Sequence, residues 1–312
     1  MSDKVPPKSS TSKAIKKLIG KIVKAEAKLK TSIGTKDRKQ LLRELKDLKA
    51  SLAWQYLEAE EFVKAKEIYD KLPMSTHATD IYSGKARILI ETKKYDEARK
   101  LLEESLVKFP DYVPLLNTLG ILYNTTGDFY EALRYFDRAL AIEPKNNPWS
   151  LQNKSGTLTA LGYHEEAHKI LLNLLRSDPK NSNYNADLAY CEGQRGNYLK
   201  AIEYCKKARK NGYETAALYT WMCKAYHVLD QPRKMLAAAR EGIRKFPGQN
   251  AELYTFLGMG YMTLERYEEA RKVLEQGLAV DPKAVGIPEL LEVIKTGSHM
   301  QKKAGRRIGR PK

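Results

Sequence analysis

The sequence predicts an all-α solenoid of stacked helical hairpins, and three periodicities predict it. An alanine recurs as Ala65, Ala98, Ala132, Ala167, Ala201 and Ala270, with Met235 in the one gap, at spacings of 33, 34, 35, 34, 34 and 35 residues. An aromatic residue stands three positions ahead of it at Phe62, Tyr95, Phe129, Tyr198 and Tyr267. Prolines close the units at Pro110, Pro144, Pro179, Pro247 and Pro282, with Tyr213 standing in once. A fixed period of this length is one helix–turn–helix per repeat; a single hairpin cannot bury its apolar face, so neighbours must stack.

Residues 113–144 show the unit in full. Leu116, Leu119, Gly120 and Tyr123 fall three or four apart on one face of a first helix, which Gly127 and Asp128 break. Phe129, Ala132, Phe136 and Ala139 mark the buried face of a second helix, ended by Pro144. Small residues at Gly120 and Ala132 let the two helices approach closely, with aromatics filling the space beside them.

Ahead of the array, residues 1–12 are polar and rich in Pro and Ser, and are expected to form a disordered tail. Residues 13–45 form a basic helical segment. Ile15, Leu18, Ile19, Ile22, Val23 and Leu29 make one helical stripe among lysines, and Leu41, Leu45, Leu48 and Leu52 continue on a helix starting near Asp37. A hairpin capping the first repeat is expected. The array itself spans 46–282, about seven units, of which the first is degenerate. The fourth departs with Lys154 and Ser155, and the sixth with Pro232 and Met235; both are expected to be looser or bent. A capping helix follows within 283–296, with Pro288 suited to its first turn and Leu290, Leu291, Val293 and Ile294 covering repeat seven. Residues 297–312 carry no apolar pattern and are expected to be disordered; their GSHM at 297–300 resembles an expression-vector junction.

These units, above all LLNTLGILY…YEALRYFDRALAIEP and LYTFLGMGYMTLERYEEARKVLEQGLAVDP, resemble the tetratricopeptide repeat (TPR) family. The resemblance implies a right-handed α-solenoid whose first helices line a concave groove that takes peptides or partner helices. Mapped onto this chain, the groove-facing candidates are Arg87, Asn117, Asn124, Trp149, Gln152, Asn153, Tyr190, Lys224 and His227. Side-chain amides suit a peptide backbone because each offers donor and acceptor. A clamp for a C-terminal carboxylate, which in this family needs Lys, Asn and Arg on three adjacent repeats, lacks its third-unit cation here. The amide-rich groove is loosely similar to the asparagine-lined repeats of O-linked sugar transferases, without a catalytic domain after it.

Charge adds a second theme. The formal net charge is +17, yet of 55 basic and 38 acidic residues, 12 and three lie in 1–40 and seven and none in 295–312. The body, 41–294, keeps 36 and 35 and is neutral. The tail KKAGRRIGRPK resembles an AT-hook, although Ile308 replaces the first core arginine; Lys302, Lys303, Arg306, Arg307 and Arg310 are the nucleic-acid candidates. Residues 13–30 could alternatively lie on an anionic membrane. No apolar run reaches the ~20 residues of a membrane span. Cys191, Cys205 and Cys223 have no metal-like spacing and fit packing residues in a reducing cytosol. A cytoplasmic location is expected, nuclear or nucleoid-associated under the nucleic-acid reading.

The one catalytic-looking motif is His164-Glu165-Glu166-Ala167-His168, which fits the zinc motif H-E-x-x-H. The register explains it otherwise: His164 takes the aromatic slot, Ala167 is the packing alanine, and His168 aligns with Arg99 and Arg271. The expectation is therefore a non-enzymatic adaptor without cofactor, metal or small-molecule substrate. Its partner is a protein segment in the groove. The alternatives are a nucleic-acid adaptor using the basic ends and a membrane-surface adaptor using 13–30.

Overall fold

The computed structural model describes residues 9–31, 34–59, 61–72, 79–144 and 147–296. Every regular element among them is a helix. The described residues form two compact units, one running to Leu174 and the other starting at Leu175, which divide inside one helix.

The amino-terminal unit begins with α1 (Ser9–Lys30) and α2 (Thr35–Glu58), followed by α3 (Phe62–Asp70). Then come the hairpins α4 (Thr79–Glu91) with α5 (Tyr95–Lys108), and α6 (Val113–Thr126) with α7 (Phe129–Ile142). Helix α8 (Pro148–Ala160) leads into α9 (His164–Ser177), the helix in which the division falls. The carboxy-terminal unit pairs α10 (Ser182–Gln194) with α11 (Tyr198–Lys210), α12 (Ala216–Val228) with α13 (Pro232–Lys245), and α14 (Ala251–Thr263) with α15 (Tyr267–Val280). A last helix, α16, spans residues 287–296.

The repeat alanines are where the period placed them, on the second helices and buried, and Met235 fills the same slot in α13. Twelve residues before each lies a second small position: Ala53, Ala86, Gly120, Ser155, Ala189, Cys223 and Gly258. All are buried, because here the first helix rests against its partner. At Gly120 an added Cβ would stand 2.5 Å from the ring of Phe136, so nothing larger than hydrogen fits without displacing the aromatic. Gly127, in the left-handed region at φ 90°, ends α6 and lets α7 turn back after Asp128. First helices from α8 onward start on side-chain caps. The Asn147 Oδ1 accepts from the Ser150 amide at 3.0 Å, Asn181 caps α10, the Thr215 hydroxyl accepts from Leu218, and Asn250 caps α14.

Several expectations change in detail. Helix α1 begins at Ser9, so residues 9–12 form its first turn rather than tail, while residues 1–8 lie outside the described residues. Helix α2 crosses residue 46 unbroken: it pairs with α1 from Leu41 to Tyr56, and its rear half serves also as the first helix of repeat one. Only part of the α1 stripe is used. Ile15 and Ile22 are buried against Leu45 and Leu52, but Ile19 and Val23 are 40% and 58% exposed, since α1 has a single neighbour to pack on. In repeat four Lys154 reaches Asp137 at 2.7 Å and the buried Ser155 bonds the Gln152 carbonyl at 2.6 Å, so the substituted positions are satisfied. In repeat six Pro232 opens α13, which runs on for 14 residues with Met235 in the core. At the C-terminal cap Ile287 and Ile294 are buried, Leu290 and Leu291 pack on the core, and Val293 is 56% exposed and covers nothing.

Candidate functional site

Counting back from each packing alanine locates the side chains that the first helices offer. Eleven residues before it stand Trp54, Arg87, Tyr190 and Lys224. Fourteen before it stand Asn153, Trp221 and Phe256, and eighteen before it Pro114 and Trp149.

In the amino-terminal unit three of these positions, Trp54, Pro114 and Trp149, line a cavity of about 440 Å³. Trp54 and Gln55 of α2, Ser83 of α4, Pro114 of α6 and Trp149 of α8 line it, and α1 closes one side with Ala14 and Leu18. Trp54 and Trp149 meet edge to face, ring centroids 6.0 Å apart and planes at 79°. Both are only half buried. Two large, stiff, apolar surfaces with indole N–H donors, held open at a mouth lined by an amide and hydroxyls, fit a bulky apolar side chain on a hydrogen-bonding backbone.

The amides divide into two groups. Asn117 is 1% exposed, and its Oδ1 accepts from the Ser150 hydroxyl at 2.5 Å. The Asn124 Oδ1 accepts from the Thr157 hydroxyl at 3.0 Å. Both bonds run from α6 to α8, so these amides tie one repeat to the next, and Asn117 is corrected from groove lining to buried link. Asn153 donates to the Trp149 carbonyl at 2.9 Å within α8, and half-buried Gln152 lies beside it. Arg87 is half buried, and its buried Nε has no hydrogen-bond partner among the described residues.

In the carboxy-terminal unit, Tyr190 of α10 meets Trp221 of α12 edge to face at 4.8 Å. The Lys224 ammonium lies 4.7 Å from the Trp221 ring centroid, a cation–π contact in the open. Exposed His227 stands 6.4 Å from the Phe256 ring of α14. Tyr190 and Lys224 hold the same repeat position on α10 and α12, and His227 follows Lys224 one turn later. A further cavity of about 680 Å³ is lined by Glu252, Thr255, Phe256 and Met259 of α14 with Val280 and Val285. In the same unit, Glu214 accepts from Lys245 at 2.6 Å and from the Tyr219 hydroxyl at 2.5 Å, and Arg209 reaches Glu241 at 2.7 Å. Burial alone raises the Glu214 pKa, but these donors and the nearby cations hold it below the usual carboxylate range. The Tyr219 hydroxyl is pushed up, first by burial and then by its bond to Glu214.

Hairpin repeats with a period near 34 residues, small positions at the helix crossing and a row of aromatic and amide side chains on the first helices point one way. Profiles of the family described as "Tetratricopeptide repeat" match residues 84–147, 123–189 and 251–284. The chain carries tetratricopeptide repeats. It is similar to the TPR repeat-containing protein YpiA of Bacillus subtilis (strain 168), 23% identical over 303 residues, which covers 86% of this chain and 70% of that protein. Among solved structures it is similar to the APC/C hetero-tetramer Cut9-Hcn1, with TM-score 0.69 and 17% identity. That match covers 80% of this chain, which spans about half (49%) of the matched chain. A tetratricopeptide repeat protein from Parabacteroides merdae matches with TM-score 0.57 and 17% identity over 80% of this chain and 98% of that one. Such distant likeness speaks for the fold.

The TPR register also accounts for the remaining candidates. His164 opens α9 and Ala167 is buried against its partner helix, while the Glu192 carboxylate is held by Arg195 at 3.0 Å and Asn197 at 2.6 Å. Cys191, Cys205 and Cys223 are buried free thiols, and burial pushes Cys205 up to about 12. A thiol so protonated is a packing group and a poor nucleophile. Lys302, Lys303, Arg306, Arg307 and Arg310 lie outside the described residues. No helix among the described residues is long and apolar enough to cross a membrane. Two lining residues escaped the sequence reading, Trp54 and Trp221. Each sits at an offset from its repeat alanine or methionine that had already nominated Arg87 and Asn153.

Proposed function

We propose that the protein is a non-catalytic scaffold that holds a segment of a partner protein on the first helices of its amino-terminal unit. One bulky apolar side chain of that segment seats between Trp54 and Trp149. Arg87 offers a guanidinium to a carboxylate or carbonyl of the bound segment, and Gln152 and Asn153 offer amides to its backbone. The observation that supports this most is the paired-tryptophan cavity: a half-open apolar recess of about 440 Å³, built on groove positions of four repeats and the capping helix. Tyr190, Lys224 and His227 offer a surface of the same kind on the carboxy-terminal unit.

The test is a selection of random 16-residue displayed peptides on the full chain, repeated on a Trp54→Ser/Trp149→Ser variant shown by circular dichroism to keep its helix content. The proposal expects enriched peptides with a shared Leu, Phe or Trp that the variant no longer retains. If nothing is enriched, or every enriched peptide is retained by the variant, the cavity is not the docking site.

A second reading rests on Ile19 and Val23, exposed on α1 beside Lys16 and Lys24. An amphipathic basic face of this kind suits an anionic membrane surface. Co-sedimentation with phosphatidylserine vesicles that Ile19→Ser/Val23→Ser abolishes would support it; equal sedimentation of the variant would remove it.

A further inference from the structure

A second recess lies away from the groove, on the other side of α2. It has a volume of about 670 Å³ and sits among α1, α2 and α3. Its floor is apolar throughout, made by Ile22, Leu42, Leu45, Leu52, Ile68 and Leu72. Its rim is basic throughout: Lys39, Arg43, Lys46 and Lys49 along α2, and Lys71 just past the end of α3. None of its 11 lining residues is acidic, although the body of the chain is neutral. Glu26 pairs with Lys49 at 2.7 Å, and Lys46 is engaged as well. Lys39, Arg43 and Lys71 are exposed, and Leu42 on the floor is 51% exposed although the residues beside it are apolar.

We infer that this cleft is a docking site for an acidic, amphipathic segment of a partner protein, with carboxylates spaced around one or two bulky aliphatic anchors. Charge complementarity selects the sign of the partner. The spread of the charge selects its kind. From Lys39 to Lys49 the cations follow α2 for ten residues, about 15 Å at the rise of an α-helix. A single anionic headgroup would engage one end of such a row. A peptide or helix with spaced carboxylates reaches Lys39 and Arg43 on α2 and Lys71 past α3 together. The recess is also concave, so its floor receives a protruding side chain, whereas a flat bilayer surface would meet only the rim. This site is independent of the tryptophan cavity: it uses different residues of α2 and the opposite class of contact.

The experiment is the same displayed-peptide selection on the full chain, counter-screened on Lys39→Glu/Arg43→Glu in place of the tryptophan variant. These two side chains are exposed, so the variant keeps its fold, which circular dichroism checks. We expect a class of enriched peptides with net negative charge and spaced Leu, Ile or Val that the Trp54→Ser/Trp149→Ser variant retains and the charge-reversal variant loses. Synthetic copies are expected to bind the charge-reversal variant at least about ten-fold more weakly, with the wild-type affinity falling as salt is raised. Leu42→Ser is expected to weaken them without removing the salt dependence. The inference is overturned if no peptide is lost on the charge-reversal variant, or if those lost carry no excess of acid. It is equally overturned if that variant loses only its binding to phosphatidylserine vesicles, which would assign the cleft to a membrane.

Discussion

The two units are built from the same repeat and hold themselves together differently. In the carboxy-terminal unit one continuous apolar cluster runs from Ala189 to Ile294, and the ionic group Arg209, Glu214, Glu241 and Lys245 joins α11, the α11–α12 turn and α13 over it. Among the described residues of the amino-terminal unit the core falls into separate clusters. One cluster lies between α1 and α2, another runs from Ala50 to Ile88, and another from Tyr82 to Leu122. Where α6 meets α8, a buried hydrogen bond from Ser150 to Asn117 and a part-buried one from Thr157 to Asn124 make the connection. The difference teaches where binding surface can be left open. A unit whose repeats are joined by local clusters and polar links has apolar positions to spare, and it is there that the tryptophan cavity and the basic-rimmed cleft occur. Repeat arrays gain stability from each interface separately, so the divided unit should yield first to denaturant. Trp221 reports on the carboxy-terminal unit and Trp54 and Trp149 on the other, so single-tryptophan variants separate the two transitions.

The strongest way to sharpen this contrast is a matched pair of glycine substitutions. Gly120→Ala places a Cβ 2.5 Å from the ring of fully buried Phe136, and Gly258→Ala places one 2.5 Å from Leu274. Overpacking costs about 1–3 kcal/mol, more where the neighbour is a rigid ring than where it is an aliphatic chain with other rotamers. The urea midpoint of the amino-terminal transition is therefore expected to fall further for Gly120→Ala than the carboxy-terminal one does for Gly258→Ala.

Next in size is the polar link. Ser150→Ala leaves the buried Asn117 carbonyl oxygen without its donor, a loss of about 1–3 kcal/mol. Its counterpart, Thr220→Val, removes the acceptor of a 3.1 Å bond from a half-buried Asn250 and is expected to cost less than about 1 kcal/mol. Equal losses in the two would remove the distinction between polar and apolar joining.

The ionic group gives a pH-dependent comparison. The folded-state pKa of Glu214 is depressed, so its contribution is present above the unfolded value, about 4.3, and is lost as pH falls through the folded value. The carboxy-terminal midpoint is expected to drop between about pH 5 and pH 3 more steeply in the wild type than in Glu214→Gln. These side chains are about one-third exposed, so the substitution itself is expected to cost about 1 kcal/mol at neutral pH after screening by solvent. Smallest of all, Lys224→Ala removes an exposed cation from the Trp221 face, at less than about 0.5 kcal/mol, and shows chiefly as a change in Trp221 emission.

The repeat register made the fold legible, because packing alanines and small crossing positions recur wherever two helices touch. It reached the candidate site only in part. Trp149, Tyr190, Lys224 and His227 stand on α8, α10 and α12, whereas Trp54 is hidden by the weak first repeat, whose long α2 merges with the N-terminal hairpin. Asn117 was read as groove lining because its own helix puts it there. Whether it is open depends on Ser150, which lies 33 residues further on. Likewise α1 reads as one wide apolar stripe, but a helix with one neighbour buries Ile15 and Ile22 and leaves Ile19 and Val23 outside.

The most direct measurement is of the three tryptophan indole N–H resonances in the full chain as a peptide from the selection is added. Seating of its apolar side chain in the cavity predicts that the Trp54 and Trp149 signals shift together and saturate at one peptide per chain, with Trp221 unmoved by the same addition. A peptide that binds while Trp54 and Trp149 stay in place would contradict the account.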